Sequence, residues 1–301
     1  MIEARESHPH GLLGAVLIVG SALLFAMTSV LGRMALDRGM TVESMLAARF
    51  SVAAVLLFAL AAVVGRPLVA ARGERIAIVV LANMGYALES NMFFLASRHA
   101  TLATVGLLFY SYPAIVTLAS WALLHRPPTL LAVVAVCASV TGAGIVAAGG
   151  GHLAAEPVAL VLALGSAVAY ATYLMGTDRR VRRTDPFTGA AWVTGSAALG
   201  MSIVASVSQA WMVPTARQWG PLLGMSLATG AAFVCLLSGL PRLGAVWTSI
   251  LSTSEAVAIP VFAWLLLSEA VERSILLGGI LVLAGAAVAS VAIRTPMPPE
   301  L

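Results

Sequence analysis

The feature that most constrains this chain is the recurrence of apolar stretches about twenty residues long. That is the length of α-helix needed to cross the hydrocarbon core of a bilayer. Broken at arginine, proline and acidic clusters, the first half yields spans at 12–32, 44–64, 76–97, 102–124 and 129–148. The second half yields 157–177, 187–209, 219–239, 244–267 and 274–293. Only 10% of the residues are charged and 60% are hydrophobic, whereas soluble domains carry roughly a quarter charged residues. The expectation is an all-α membrane protein with ten transmembrane helices, tails at 1–10 and 295–301, and no signal peptide in MIEARESHPH.

Arginine sets the expected orientation. With the N-terminus cytoplasmic, the inner segments hold eleven arginines (5, 66, 72, 75, 126, 179, 180, 182, 183, 242 and 294) and the outer ends hold six (33, 38, 49, 98, 217 and 273). An excess of positive charge on cytoplasmic loops places both termini inside.

The two halves repeat one another. VGSALLFA at 19–26 answers LGSAVAYA at 164–171, TGAGIVAAG at 141–149 answers AGAAVASVA at 284–292, and ASWALLHRP at 119–127 answers FAWLLLSEA at 262–270. A first repeat at 11–149 and a second at 156–294 each hold five spans. Five is odd, so the second copy enters the membrane from the opposite side. Inverted five-helix repeats of this kind supply mirror-related states and a substrate site near the midplane. The plainer alternative is a duplication kept for packing.

All seventeen basic residues are arginine. Without lysine there is no Walker A loop and hence no nucleotide drive by that route, and no Schiff-base cofactor. The arginines are scattered between apolar segments, which argues against nucleic acid. Cys137 and Cys235 lie inside apolar segments and read as small buried hydrophobes. His8, His10, His99, His125 and His152 fall in the tail or near segment ends, without metal-ligand spacing. No cofactor and no metal are expected.

The polar residues inside the spans are the candidates for function. At 100° per residue, Asn83, Tyr86 and Ser90 share an arc of the third span, with Glu89 beside Tyr86 and Asn91 on the far side. Thr248, Ser252 and Glu255 form a stripe on the ninth. Ser21, Phe25 and Thr28 on the first span match Ser166, Tyr170 and Tyr173 on the sixth. The candidate substrate-binding residues are Phe25, Thr28, Tyr86, Glu89, Ser90, Asn91, Tyr110, Tyr170, Tyr173, Trp247 and Ser252. Each has a plainer reading: hydroxyls bond the preceding helical turn or glue helices together, and Tyr110 serves as an interface anchor. Arg49 reads as a snorkelling or capping residue, with a substrate role as the alternative.

Glu89 and Glu255 are the acids placed deep in the spans, one per copy. A charge at bilayer depth costs at least a few kcal/mol, which marks such residues as functional suspects. They are the candidates for proton coupling or for meeting a cationic amine, against a structural role in fixing helix packing. Two acids among hydroxyls and aromatics suit a zwitterion or an aromatic amine better than a phosphate or a sugar nucleotide.

These residues resemble the EamA family of the drug/metabolite transporter superfamily, over nearly the whole chain as two tandem copies. The likeness rests on AARF with Arg49, on TLATVGLLFYSYPAIVTLASWALL at 101–124, and on AVWTSILSTSEAVAIPVFAWLLLSE at 245–269. Two features depart from the family pattern. Arg126 stands opposite Glu269 where the family often has a glutamate, and Glu255-Ala256 replaces a common Glu-Pro, with Pro260 arriving later. The resemblance implies export of small molecules, amino acids and other metabolites among them, through the bacterial cytoplasmic (inner) membrane, with membrane lipid around the protein and no nucleotide partner. Two other classes compete. A membrane enzyme would need a nucleophile–base pair or metal cluster at depth, and there is no GxSxG, no HExxH and no aspartate inside any expected span. A sensor or scaffold would need long loops or a soluble domain, and the loops are short.

Overall fold

The computed structural model describes residues 9–100, 102–124, 128–149, 156–267 and 273–294. Arg5, His8, His125, Arg126, His152 and Glu269 lie outside the described residues, as do most of the expected tails. The regular structure is helical: α1 (Pro9–Asp37), α2 (Val42–Val63), α3 (Arg75–Val80), a π-helical segment (Leu81–Ala87), α4 (Leu88–Ala96), α5 (Leu102–Phe109), α6 (Tyr112–Leu124) and α7 (Leu130–Gly149). The second half comprises α8 (Pro157–Arg180), α9 (Pro186–Val207), α10 (Ala216–Ser252), α11 (Glu255–Leu267) and α12 (Arg273–Arg294). Among the described residues, six helical stretches are long and apolar enough to cross a membrane: Gly11–Asp37, Val42–Val63, Arg75–Ala96, Pro157–Arg180, Pro186–Val207 and Ala216–Ser252.

Several expected boundaries shift. α1 runs on to Asp37 and α8 to Arg180, so Asp37 and Asp178 stand at helix ends beyond the expected spans at 12–32 and 157–177. The fourth expected span is broken into α5 and α6 around Tyr110 and Ser111, and the ninth is broken between Ser252 and Glu255. The two breaks fall at matching places in the copies. α10 joins the eighth expected span to the first part of the ninth. Its backbone turns at Gly244, with φ 75° and ψ 167°, a conformation that glycine adopts without Cβ strain.

The copies interlock. α1 packs chiefly on α10, α4 on α8, α2 on α9, and α7 on α12. Close approaches at glycine show that three of these pairs run antiparallel. Gly14 meets Arg242 and Leu243 while Gly32 meets Met225; Gly165 meets Met92 while Gly176 meets Leu81; Gly142 meets Gly278 and Val282 while Gly285 meets Ala135 and Ser139. Gly142 and Gly285 occupy equivalent positions in the repeats, so the α7–α12 seam is nearly self-matching. A Cβ on Gly142 would stand 2.6 Å from the Gly278 carbonyl oxygen. Small residues let membrane helices come this close, where dispersion rather than water exclusion must hold them. Cys137 corrects an expectation here: it is exposed on α7, and Cys235 is half-buried. In lipid an apolar thiol needs no burial.

Two mirror-related junctions tie the loops of one copy to those of the other. On one side Thr41, the N-cap of α2, bonds the Ala210 carbonyl at 2.7 Å, and Ser44 bonds that of Met212 at 3.0 Å. Gln218 Nε2 donates to the Arg38 carbonyl at 2.7 Å. On the other side Asp185 caps α9, Thr188 bonds the Pro67 carbonyl, and Arg66 pairs with Asp185 at 3.2 Å. There the carboxylate of Glu74 accepts the N–H groups of Arg182, Arg183 and Thr184 at 3.0, 2.8 and 3.0 Å, and the Thr184 hydroxyl at 2.7 Å. Consecutive N–H groups in a turn make such an anion-binding nest. Burial pushes the Glu74 pKa up, but the Thr184 hydroxyl and the three N–H groups outweigh it and hold the carboxyl below its ordinary range.

Candidate functional site

The side chains that meet between the copies come from α1, α2, the third expected span, α8 and the two helix breaks. The π-helical segment LANMGYA decides what the third span presents. Bonding from i to i+5 advances each residue by less rotation than an α-helix does, so the 100° wheel fails there. Asn83 does not share a face with Tyr86 as expected. It bonds the Val79 carbonyl at 2.9 Å and packs on Gly200 of α9, while Tyr86, Glu89 and Ser90 reach the interior. Gly85 makes the arrangement possible, since a Cβ there would lie 2.8 Å from that of Tyr173 on α8.

One cavity of about 40 Å³ lies among these elements. Phe25, Thr28 and Ser29 line it from α1, Arg49 from α2, and Tyr170 from α8. Tyr86, Glu89, Ser90, Phe93 and Phe94 come from the third expected span. Phe109 and Glu255 come from the two breaks. Phe25 and Tyr170 are repeat equivalents, so each copy contributes the same position of its first helix. At roughly 10–15 Å³ per water centre, the cavity has room for a few waters and not for a metabolite.

The polar groups are held firmly. Glu89 is 7% exposed, and its Oε2 accepts from the Ser90 hydroxyl at 2.9 Å. Arg49 is 2% exposed. Its Nε donates to Thr229 Oγ1 at 2.7 Å and its Nη2 to the Tyr86 hydroxyl at 2.8 Å. The guanidinium carbon lies 4.9 Å from the centroid of the Phe50 ring, within reach of a cation–π contact. Among the described residues, the ion pairs are Arg33–Asp37, Arg66–Asp185 and His99–Glu156. None brings a carboxylate within 4 Å of Arg49.

Aromatic rings form the rest of the wall and its backing. Tyr86 meets Phe233 at 4.5 Å and Tyr173 at 5.7 Å between centroids. Tyr170 meets Phe109 at 5.7 Å and Tyr112 at 4.9 Å. Tyr112 also donates to the Ser249 carbonyl at 3.3 Å, joining the two broken segments.

Phe25, Thr28, Tyr86, Glu89, Ser90, Tyr170 and Glu255 thus come together at one cavity. Five other expected residues stand off it. Tyr173 packs behind Tyr86, Tyr110 packs on Phe109 at 5.4 Å, and Asn91 turns toward Met201 of α9. Trp247 is half-buried against the apolar core, and Ser252 is buried within α10. The Thr248–Ser252–Glu255 stripe is cut by the break: Glu255 opens α11 and lines the cavity, while Thr248 and Ser252 are buried in α10. Sequence reasoning missed Ser29, Phe93, Phe94 and Phe109, which are not marked out from ordinary apolar or hydroxyl residues of a span. It noticed Arg49 without placing it here.

The sequence profile of the EamA-like transporter family matches residues 12–148 and again 157–291. A solved crystal structure that is 20% identical superposes with a TM-score of 0.74, over 97% of this chain and 100% of its own. At that identity the likeness bears on the fold alone. No curated protein is matched by the sequence.

Proposed function

The chain belongs to the EamA-like transporter family, and from that premise we propose that it is a secondary transporter exporting small amphiphilic metabolites across the bacterial cytoplasmic membrane. Amino acids, aromatic ones included, and related amines are the substrate class. The chain crosses the membrane ten times as two inverted five-helix repeats, with both termini in the cytoplasm. Movement of helix pairs, each drawn from both copies, opens the central cavity to each side in turn.

The observation that carries this reading is the composition of the cavity wall. Two carboxyls and one guanidinium face a shell of rings contributed by both copies. Charged groups provide orientation and rings bury an apolar body, as in small-molecule sites generally. The cavity's small volume requires the helices that line it to part before substrate enters, as alternating access provides.

The purified protein in proteoliposomes provides the test. Radiolabelled phenylalanine, leucine and phenethylamine are offered with an imposed pH gradient and in counterflow. Accumulation above protein-free liposomes for at least one compound supports the reading. Movement of none of a broad panel of amino acids and amines, by a protein of unchanged thermal stability, would overturn it.

A further inference from the structure

A fully buried guanidinium is costly unless it is paired, because several kcal/mol of desolvation must be met by an anion and by hydrogen bonds. Arg49 is only partly paired. Of its five N–H donors, Nε–H goes to Thr229 and one Nη2–H to Tyr86. Among the described residues no hydrogen bond is made by Nη1, and Glu89 and Glu255, which share the cavity, both lie beyond 4 Å. The Phe50 ring underlies the group, and Thr229 is itself fixed by its bond to the Met225 carbonyl at 2.7 Å. The fork is therefore held rigidly, with donors to spare, in the wall of the cavity.

A strut that only joined helices would spend its donors on helices. A planar fork held open at a cavity matches a carboxylate, which accepts two parallel N–H bonds. Phe25 and Tyr170 line the same cavity and supply a surface for an aromatic body. We propose that Arg49 is the subsite for the carboxylate of the substrate. This inference rests on the transporter reading and narrows it: aromatic amino acids and arylalkanoic acids are substrates, and amines lacking a carboxylate are not.

The test is calorimetric titration of the full-length protein in detergent at neutral pH with four probes. These are phenylalanine, 3-phenylpropionate, phenylalanine amide and phenethylamine. The subsite predicts that the two carboxylates bind at least tenfold more tightly than the amide and the amine, the discrimination expected from losing charge-assisted hydrogen bonds. Arg49→Lys keeps the charge and loses the fork, so it narrows the preference for the carboxylates over the amide and the amine at least tenfold. Equal binding of all four probes to the unaltered protein overturns the subsite while the transporter reading stands. Binding and transport of none of them removes the amphiphile reading and the subsite with it. The selectivity of the unaltered protein decides the matter even where Arg49→Lys fails to fold.

Discussion

Glu74→Gln tests how the loops of the two copies are tied together. The carboxylate accepts four hydrogen bonds, two at each oxygen. Glutamine keeps one oxygen and turns an NH₂ group toward the remaining donors, so two of the four are lost. Hydrogen bonds to a charged group are worth about 1.5–3 kcal/mol each. Water at the loop edge replaces part of that, leaving an expected loss of about 2–3 kcal/mol at neutral pH. By the scaling of single domains this lowers the melting midpoint by about 4–10 °C. The pH dependence has a definite sign. Because the folded-state pKa lies below the ordinary 4.5, the carboxylate contributes stability that is fully present above about pH 4.5. That contribution is lost as the pH falls through the lowered value. Melting of parent and variant, followed by tryptophan fluorescence in detergent from pH 8 to pH 3, should therefore show a constant gap that closes at the acid end. A gap as wide at pH 3 as at pH 8, or none at neutral pH, would refute the assignment of this stabilisation to the ionised carboxylate.

The same contact constrains topology: reporter fusions in the 66–75 and 179–183 loops should read the same compartment, and the compartment expected from the arginine balance is the cytoplasm. Opposite signals would rule out the bonds between Glu74 and residues 182–184. At the α7–α12 seam, Gly142→Val forces carbon against the Gly278 carbonyl and should destabilise by about 1–3 kcal/mol or more, measured as melting temperature. Gly279→Ala, whose Cβ would meet nothing nearer than Val257 at 3.5 Å, should melt with the parent. Glu89→Gln keeps the hydrogen-bonding shape beside Ser90 and removes the titratable proton. Proteoliposomes containing it should lose the response of export to an imposed pH gradient while the protein melts normally; an unchanged response across the pH range would reduce Glu89 to a packing residue.

The placement of helices was largely legible because lipid tolerates so few arrangements of an apolar chain. α2 at 42–63 and α9 at 186–207 lie close to the stretches expected from composition. What composition does not record is where a helix departs from regular bonding. Nothing in LANMGYA forbids an α-helix; the π-helical segment reflects the approach of Tyr173 to Gly85, a contact 88 residues away in sequence. Missing that shift of phase is what joined Asn83 to Tyr86. The break before Tyr112 is signalled only by Pro113, and the break before Glu255 has no adjacent proline. Arg49 read as a snorkelling residue because it stands near the start of its span. Its partners are another copy's hydroxyl and a tyrosine on another helix, neither of which a single helical wheel displays.

The interlocking of the copies also bears on the order in which the chain is made. Synthesis from the N-terminus delivers α1, α2 and α4 to the membrane before α10, α9 and α8 exist to cover them. Ser21 must wait for the carbonyl of Ala232, 211 residues later, and Arg49 for Thr229, 180 residues later. During that interval the emerging first copy holds a cation and several hydroxyls with only local partners, and neither copy possesses a core of its own. Completion of the fold is therefore tied to the arrival of α10, and a ribosome stalled before residue 229 leaves in the bilayer a half-molecule with Arg49 only half anchored.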